Sequence, residues 1–291
     1  MTAPLKDQDV ARFHNDGYHF PVPVLTGSEA EETLGAVGRY RKRTAEAGGA
    51  LARHWDHPKM HLVADWADRL VRDDRLVDIA EQLVGPDVLV WSTSLFTRAA
   101  RSQDDLTWHQ DAPYYGWQGW QGSVVRVWLA LTPTTRENGT MRYAPMTHRQ
   151  GLLPHRFEGT SPAELRRGER TDIAVDDSSA VDVVLTAGQC ALHTPATVHC
   201  SGASVSEQGR VCFAVDYIAP TVAPTGGPDS ALLVRGHDTT GHYELEEPLR
   251  TAFGAAEIQR FERATEIRFR RLGAVIRQVR AAAKTAPTVT G

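Results

Sequence analysis

Apolar positions recur at helical spacing through the first part of the chain and at strand spacing after it. Ser28 and Glu31 read as a capping box, followed by Leu34, Val37 and Tyr40 one helical turn apart. Leu62, Trp66 and Leu70 form a second such run, and Leu76, Ile79 and Leu83 a third that closes at Gly85-Pro86. Beyond this point the pattern changes. Val88–Trp91, Leu95–Thr97 and the run VVRVWLAL at 124–131 read as buried strands, with turn chemistry at Glu137-Asn138-Gly139. Residues 149–179 are polar and irregular, with helix signals only in SPAELRR, and a stretch of that length predicts a functional loop such as a lid. Strands resume at 181–185, 190–193 and 211–218. A long amphipathic helix follows, with Ile258, Phe261, Leu272, Val275, Ile276 and Val279 among many arginines. Its pattern predicts a solvated basic face over an apolar stripe that packs on the core or on a second subunit. The final TAPTVTG is expected to be disordered.

No internal repeat or low-complexity linker divides the chain, so one domain over 1–291 is expected. It would have a helical part at about 1–86, a strand-rich core at about 87–220 and a helical extension at about 245–284. Many strands framed by helices predict an all-β core of double-stranded β-helix (jelly-roll) type, flanked by N- and C-terminal α-helices.

Composition narrows the function classes. A formal charge of −4 gives no electrostatic reason to expect nucleic acid or an anionic membrane as partner. No apolar run approaches the roughly 20 residues of a membrane span, and the N-terminus lacks a signal-peptide profile, so a cytoplasmic protein is expected. Three cysteines, Cys190, Cys200 and Cys212, all in strand-like stretches, read as buried thiols rather than a disulfide framework.

Candidate chemistry lies in three His-x-Asp copies and two later histidines. His14-Asn15-Asp16 precedes Gly17 and reads as a turn. His54-Trp55-Asp56 is followed by His57 and His61, but Pro58 disfavours helix at His57, so this cluster reads as pocket lining or a cap. His109-Gln110-Asp111 sits at a strand end, where residues i and i+2 share a face and can converge on one ion. A third ligand would come from His193 or His199; His199 is favoured by its setting, a Cys-Ser-Gly turn before the strand that holds Arg210. Two imidazoles and one carboxylate suit iron(II) with positions left open, and Arg210 could aim its fork at the carboxylate of a 2-oxo acid.

The resemblance extends to whole segments. FHNDGYHFPVPVLTGSEAE, WHQD at 108–111, VWLALTPTTRENGTMRYAPMTHRQG, HCSGASVSEQGR at 199–210 and ALLVRGHD at 231–238 resemble the phytanoyl-CoA dioxygenase family of non-haem iron(II)/2-oxoglutarate oxygenases. The likeness is strongest to the bacterial branch that tailors small metabolites on a cupin-like fold. It implies iron on His109, Asp111 and His199, and the distal carboxylate of 2-oxoglutarate on Arg210 with help from Ser201. Trp128 would be core or part of the cofactor pocket, and His193 a second line behind the metal or a pocket wall. Dioxygen is then the oxidant, succinate a product, and hydroxylation of an unactivated C–H the default. Desaturation, cyclisation or epimerisation uses the same chemistry, whereas Asp111 argues against chlorination because related halogenases replace that carboxylate. Two positions depart from the family pattern: Pro145-Met146-Thr147-His148 stands for Pro-Gly-Ser-His, and Asp216 for a basic residue.

Tyr114, Tyr115 and Trp117 either wall the substrate pocket or pack beneath a loop, and Arg126 meets an anionic substrate or forms an exposed salt bridge. The implied substrate is a small molecule, free or tethered to a carrier protein, in natural-product biosynthesis, and a homo-oligomer could form through the C-terminal helix. The rival classes are a cupin-type metalloenzyme that does not use 2-oxoglutarate, a non-catalytic binding domain and a protein hydroxylase. Arg210 argues against the first, the complete ligand set against the second, and the 149–179 insertion against the third.

Overall fold

A computed structural model describes residues 5–157, 169–171 and 175–285. Its centre is a seven-stranded sheet. Tyr18–Pro23, Gln189–His193, Val124–Ala130, Arg210–Ile218, Val88–Arg98 and Ser230–Arg235 pair antiparallel in that order, and Glu244–Leu245 joins the last of them in parallel. A four-stranded antiparallel sheet accompanies it, in the order Leu106–His109, His199–Ser201, Met141–Tyr143 and Val181–Asp182. Together they form a jelly-roll core with flanking helices.

Strand alternation sorts the side chains. Val125, Val127 and Leu129, with Phe213, Val215 and Tyr217, pack under the N-terminal helices against Val37, Tyr40, Trp66, Leu70 and Ile79. Their neighbours Trp128, Ala130, Cys212 and Ala214 share a second cluster with Met141 and Tyr143 of the smaller sheet. All seven residues of Val124–Ala130 are buried. A strand covered on both faces reads as a continuous apolar run, and Arg126 and Trp128 are thereby carried inward. The three cysteines are buried and unpaired.

The helices differ in detail from the sequence expectation. The first long helix, Gly27–Ala47, is capped by Thr26 with Glu29 rather than by Ser28 with Glu31, because Thr26 is the residue with extended backbone at the helix start. Leu62 ends the 3-10 turn Met60–Leu62, and Trp66 and Leu70 belong to the separate helix Asp65–Val71. The two apolar runs at 88–91 and 95–97 are one strand, Val88–Arg98. The strand expected at 181–185 is confined to Val181–Asp182. The last helix is Ala255–Thr285 and starts about ten residues late, after the edge strand Glu244–Leu245. Within 149–179, His155–Phe157 pairs with Glu169–Thr171 as a ribbon, while SPAELRR falls outside the described residues, as do 286–291 of the terminal TAPTVTG. No helix among the described residues is long and apolar enough to cross a membrane.

Candidate metal and co-substrate site

His109 is the last residue of its strand and stands directly opposite His199 in the neighbouring strand, their rings 4.3 Å apart. Each ring is held the same way. His109 Nδ1 lies 2.8 Å from the Thr107 carbonyl and His199 Nδ1 2.9 Å from the Thr197 carbonyl. A carbonyl only accepts, so both Nδ1 atoms carry the proton and both Nε2 atoms keep a lone pair for a metal. Burial, with His109 alongside, holds His199 well below the usual histidine range and therefore neutral.

Asp111 reaches the same point by a different route from the one its spacing predicts. Its backbone is helical, at φ −76° and ψ −35°, and it caps the short helix Ala112–Tyr115 instead of continuing the strand. Its Oδ1 lies 3.7 Å from His109 Nε2. Ligand atoms of His109, Asp111 and His199 all fall within 4.8 Å of one another, the only such group of three among the described residues. Burial pushes the Asp111 carboxyl up, but Arg126 and the neighbouring histidines outweigh it and hold the group ionised, well below the usual carboxylate range. Two neutral imidazoles and one carboxylate are the donor set that suits a divalent iron.

The other oxygen of Asp111 is occupied. Oδ2 accepts from Arg126 Nη1 at 3.0 Å and from the Tyr115 hydroxyl at 3.0 Å. Arg126 spends its Nε and Nη2 on Asp216, at 2.7 and 2.9 Å. The ion pair of Arg126 is thus buried rather than exposed, because Arg126 and Asp216 are cross-strand partners facing into the barrel. Asp216, in place of the family's basic residue, supplies the charge that makes the buried guanidinium tolerable.

A cavity of about 340 Å³ opens beside these groups. Arg210 lines it, donating to the Gly139 carbonyl (2.8 Å from Nη2) and to Ser201 Oγ (2.8 Å), with its guanidinium 5.3 Å above the Trp128 ring. No carboxylate of the described residues pairs with Arg210. Arg98, which the sequence reading passed over, stands directly across from Arg210 and gives Nη2 to the same Ser201 Oγ at 3.0 Å. Only the strand register reveals it. Gly139 permits this crossing: its φ is +69°, and a Cβ there would lie 2.4 Å from the Gly202 carbonyl.

The remaining sequence candidates separate cleanly. Tyr114 and Tyr115 line the cavity, whereas Trp117 does not, packing 4.2 Å from Trp91 and 4.6 Å from Tyr115. His193 is a buried cavity wall behind the metal ligands; its Nδ1 is 2.9 Å from the Tyr143 hydroxyl and its Nε2 3.9 Å from Asp111 Oδ2. His57 also lines the cavity, 2.7 Å from Ser94 Oγ, His54 lies against Phe269 with its ring tilted, and His61 is buried against Glu246. These last three form no metal cluster. Met146 takes a left-handed φ of +62°, the conformation that glycine adopts freely.

Residues 8–212 match the model of the phytanoyl-CoA dioxygenase family. The chain belongs to that family. Among its relatives, a probable alpha-ketoglutarate-dependent hypophosphite dioxygenase of Stutzerimonas stutzeri is 25% identical over 74% of this chain and 78% of its own length. The L-proline trans-4-hydroxylase of Streptomyces griseoviridis is 24% identical over 77% and 90%. Among solved structures, the non-heme monooxygenase ThoJ in its apo form is 46% identical, covering 92% of this chain and 99% of its own, with a TM-score of 0.86. CytC3, at 21% identity and a TM-score of 0.67, shares the fold. The protein is a 2-oxoglutarate-dependent dioxygenase that works with iron(II), 2-oxoglutarate and dioxygen.

Proposed function

We propose that this oxygenase, one domain throughout, hydroxylates an unactivated C–H bond of a small metabolite in natural-product biosynthesis. His109, Asp111 and His199 would hold the iron, and Arg210 with Ser201, over Trp128, would hold the distal carboxylate of 2-oxoglutarate. The observation that carries this reading is the meeting of three metal-type donors within 4.8 Å on the wall of the cavity that Arg210 also lines.

Once bound, iron with 2-oxoglutarate and dioxygen supplies an oxidant able to attack C–H bonds. The protein's own part is positional. The Thr107 and Thr197 carbonyls fix both imidazole tautomers, and Arg126 with Tyr115 turns Asp111 so that one oxygen faces the histidines. Tyr114, Phe96, Leu272 and Ile276 give the cavity an apolar wall that excludes water and can seat the substrate carbon. The full carboxylate at Asp111 favours hydroxylation over halide transfer. Relatives named as a proline hydroxylase and an ectoine dioxygenase support a small-molecule substrate, and we propose that it is taken either free or tethered to a carrier protein.

The test is an anaerobic titration of apo-protein with iron(II) and then 2-oxoglutarate, followed in the visible. A weak charge-transfer band that needs both additions and is lost in His199→Ala is expected. Iron bound without a band would favour a cupin-type enzyme that does not use a 2-oxo acid.

A further inference from the structure

The helix Ala255–Thr285 supplies a wall of the active-site cavity through Arg268, Phe269, Leu272 and Ile276. Arg268 stands out electrostatically. It is 3% exposed, and its guanidinium lies 3.6 Å from the centre of the Trp91 ring. Its Nε and Nη1 have no hydrogen-bond partner, and it forms no ion pair among the described residues.

The nearby carboxylate is already used. Asp229 Oδ2 forms an ion pair with Arg271, 2.8 Å from its Nε though not aligned for a hydrogen bond, and accepts from Trp91 Nε1 at 2.7 Å, while Oδ1 accepts from the Ser230 amide at 3.0 Å. Two guanidiniums therefore lie beside Asp229, which makes no ion pair with Arg268, and the buried charge of Arg268 is met only at a distance, by Asp229 and Asp216. Such a charge is expensive unless something pairs with it. Burial pulls the Arg268 pKa down to about 10 even with Asp229 nearby, so the group remains cationic at neutral pH. By contrast, Arg126 on the same cavity is matched by Asp111 and Asp216. Arg98 and Arg210 both donate to Ser201, in the pocket assigned to the co-substrate.

We propose that Arg268 docks a carboxylate carried by the primary substrate, whose apolar body rests on Phe269, Leu272 and Ile276. The assignment deepens the oxygenase reading and rests on it. One unmatched guanidinium suits a monoanion; a phosphate dianion would call for a second cation, and Arg271 is committed to Asp229.

The experiment uses full-length protein loaded with iron(II) and 2-oxoglutarate under anaerobic conditions. Phenylacetate, 4-phenylbutyrate and N-acetyl-L-phenylalanine are each titrated calorimetrically against the matching carboxamide. For at least one pair, the carboxylate should bind about tenfold or more tightly, the worth of a charge-assisted contact. That preference should vanish in Arg268→Gln and persist in Arg268→Lys. No preference in any pair, or a preference that survives Arg268→Gln, overturns the proposal. If Arg268→Gln does not fold, the pairwise comparison in the unmutated protein, with excess 2-oxoglutarate blocking Arg210, still decides it together with Arg268→Lys. The charge-transfer band of the same samples reports independently on the oxygenase reading, so each can fail without the other.

Discussion

Arg126 Nη1 lies 3.0 Å from Asp111 Oδ2, so one carboxylate is shared between a guanidinium and the proposed metal position. Arg126 is in turn gripped by both oxygens of Asp216. Arg126→Gln should weaken iron(II) binding by about 10–100-fold, the range for groups that orient a metal ligand. It should also alter the visible spectrum of a cobalt(II)-substituted sample. The double variant Arg126→Gln/Asp216→Asn removes the stranded carboxylate and should recover stability without recovering iron affinity. Equal iron affinity in all three proteins would reduce Arg126 to a packing role.

The ligands themselves should behave differently. His109→Ala, Asp111→Ala and His199→Ala should each abolish succinate formation while leaving the circular dichroism spectrum intact, since the histidines carry no charge and Arg126 keeps both oxygens of Asp216 when Asp111 is removed. Full turnover in any one would remove that residue from the metal set.

Arg210 and Arg98 both donate to Ser201 Oγ. Arg210→Ala should raise the KM for 2-oxoglutarate on the order of 100-fold, through loss of charge-assisted bonds. Arg98→Ala should raise it less, because Arg98 would act on the co-substrate through Ser201 and not by pairing with its carboxylate. Steady-state succinate release over a range of 2-oxoglutarate measures both, and unchanged KM values would place the co-substrate elsewhere.

Gly139→Ala should damage this pocket from behind. It forces a left-handed backbone on an L residue, at about 1–2 kcal/mol, and drives a Cβ to 2.4 Å from the Gly202 carbonyl. A lower melting temperature together with a raised KM for 2-oxoglutarate is expected. A change in melting temperature alone would separate the loop from the pocket.

Stability should carry the signature of a buried acid. Glu246 Oε1 lies 2.6 Å from Lys59 Nζ, and Oε2 lies 3.1 Å from His61 Nε2. Burial raises its pKa, but Lys59 and His61 outweigh this and bring it down to about 2. The unfolded chain binds that proton more readily, so the stabilisation is present above the ordinary carboxylate value and is lost as pH falls towards 2. His61, lowered by burial, adds an effect of the same sign beginning below the ordinary histidine value. Urea unfolding from pH 7 to pH 3 should show stability declining with acid, and less steeply in Glu246→Gln. Lys59→Met should cost roughly 3–5 kcal/mol at pH 7 by stranding the buried carboxylate.

Much of this was legible along the chain. The change from helical to strand spacing near residue 86 is local, as is the preference of valine-rich runs for a doubly covered sheet, and both survive in the structure. His109, Asp111, His199 and Arg210 stand out in the sequence by residue type and by the segments that resemble the family, and the structure brings all four to one cavity, Asp111 through a helical turn rather than the strand its spacing suggests. Trp117 is open to both readings in the sequence, because an aromatic after a metal motif serves equally for core or pocket, and only packing against Trp91 separates the two.

What the sequence alone determined is therefore the elements, their order and the candidate metal donors, all of which depend on near neighbours. Tertiary structure decided which charges meet. Arg98 faces Arg210, and Arg126 faces Asp216, because the strand Arg210–Ile218 pairs with each of its two neighbours in a fixed register, and a slip of one residue would turn each to the opposite face. Arg268 reaches the cavity from a helix more than a hundred residues beyond Asp111, in a run of arginines that reads as a solvated face. Nothing local distinguishes it. Its burial follows from where the helix docks, and docking is settled by apolar area summed over the whole molecule rather than by any short stretch of chain.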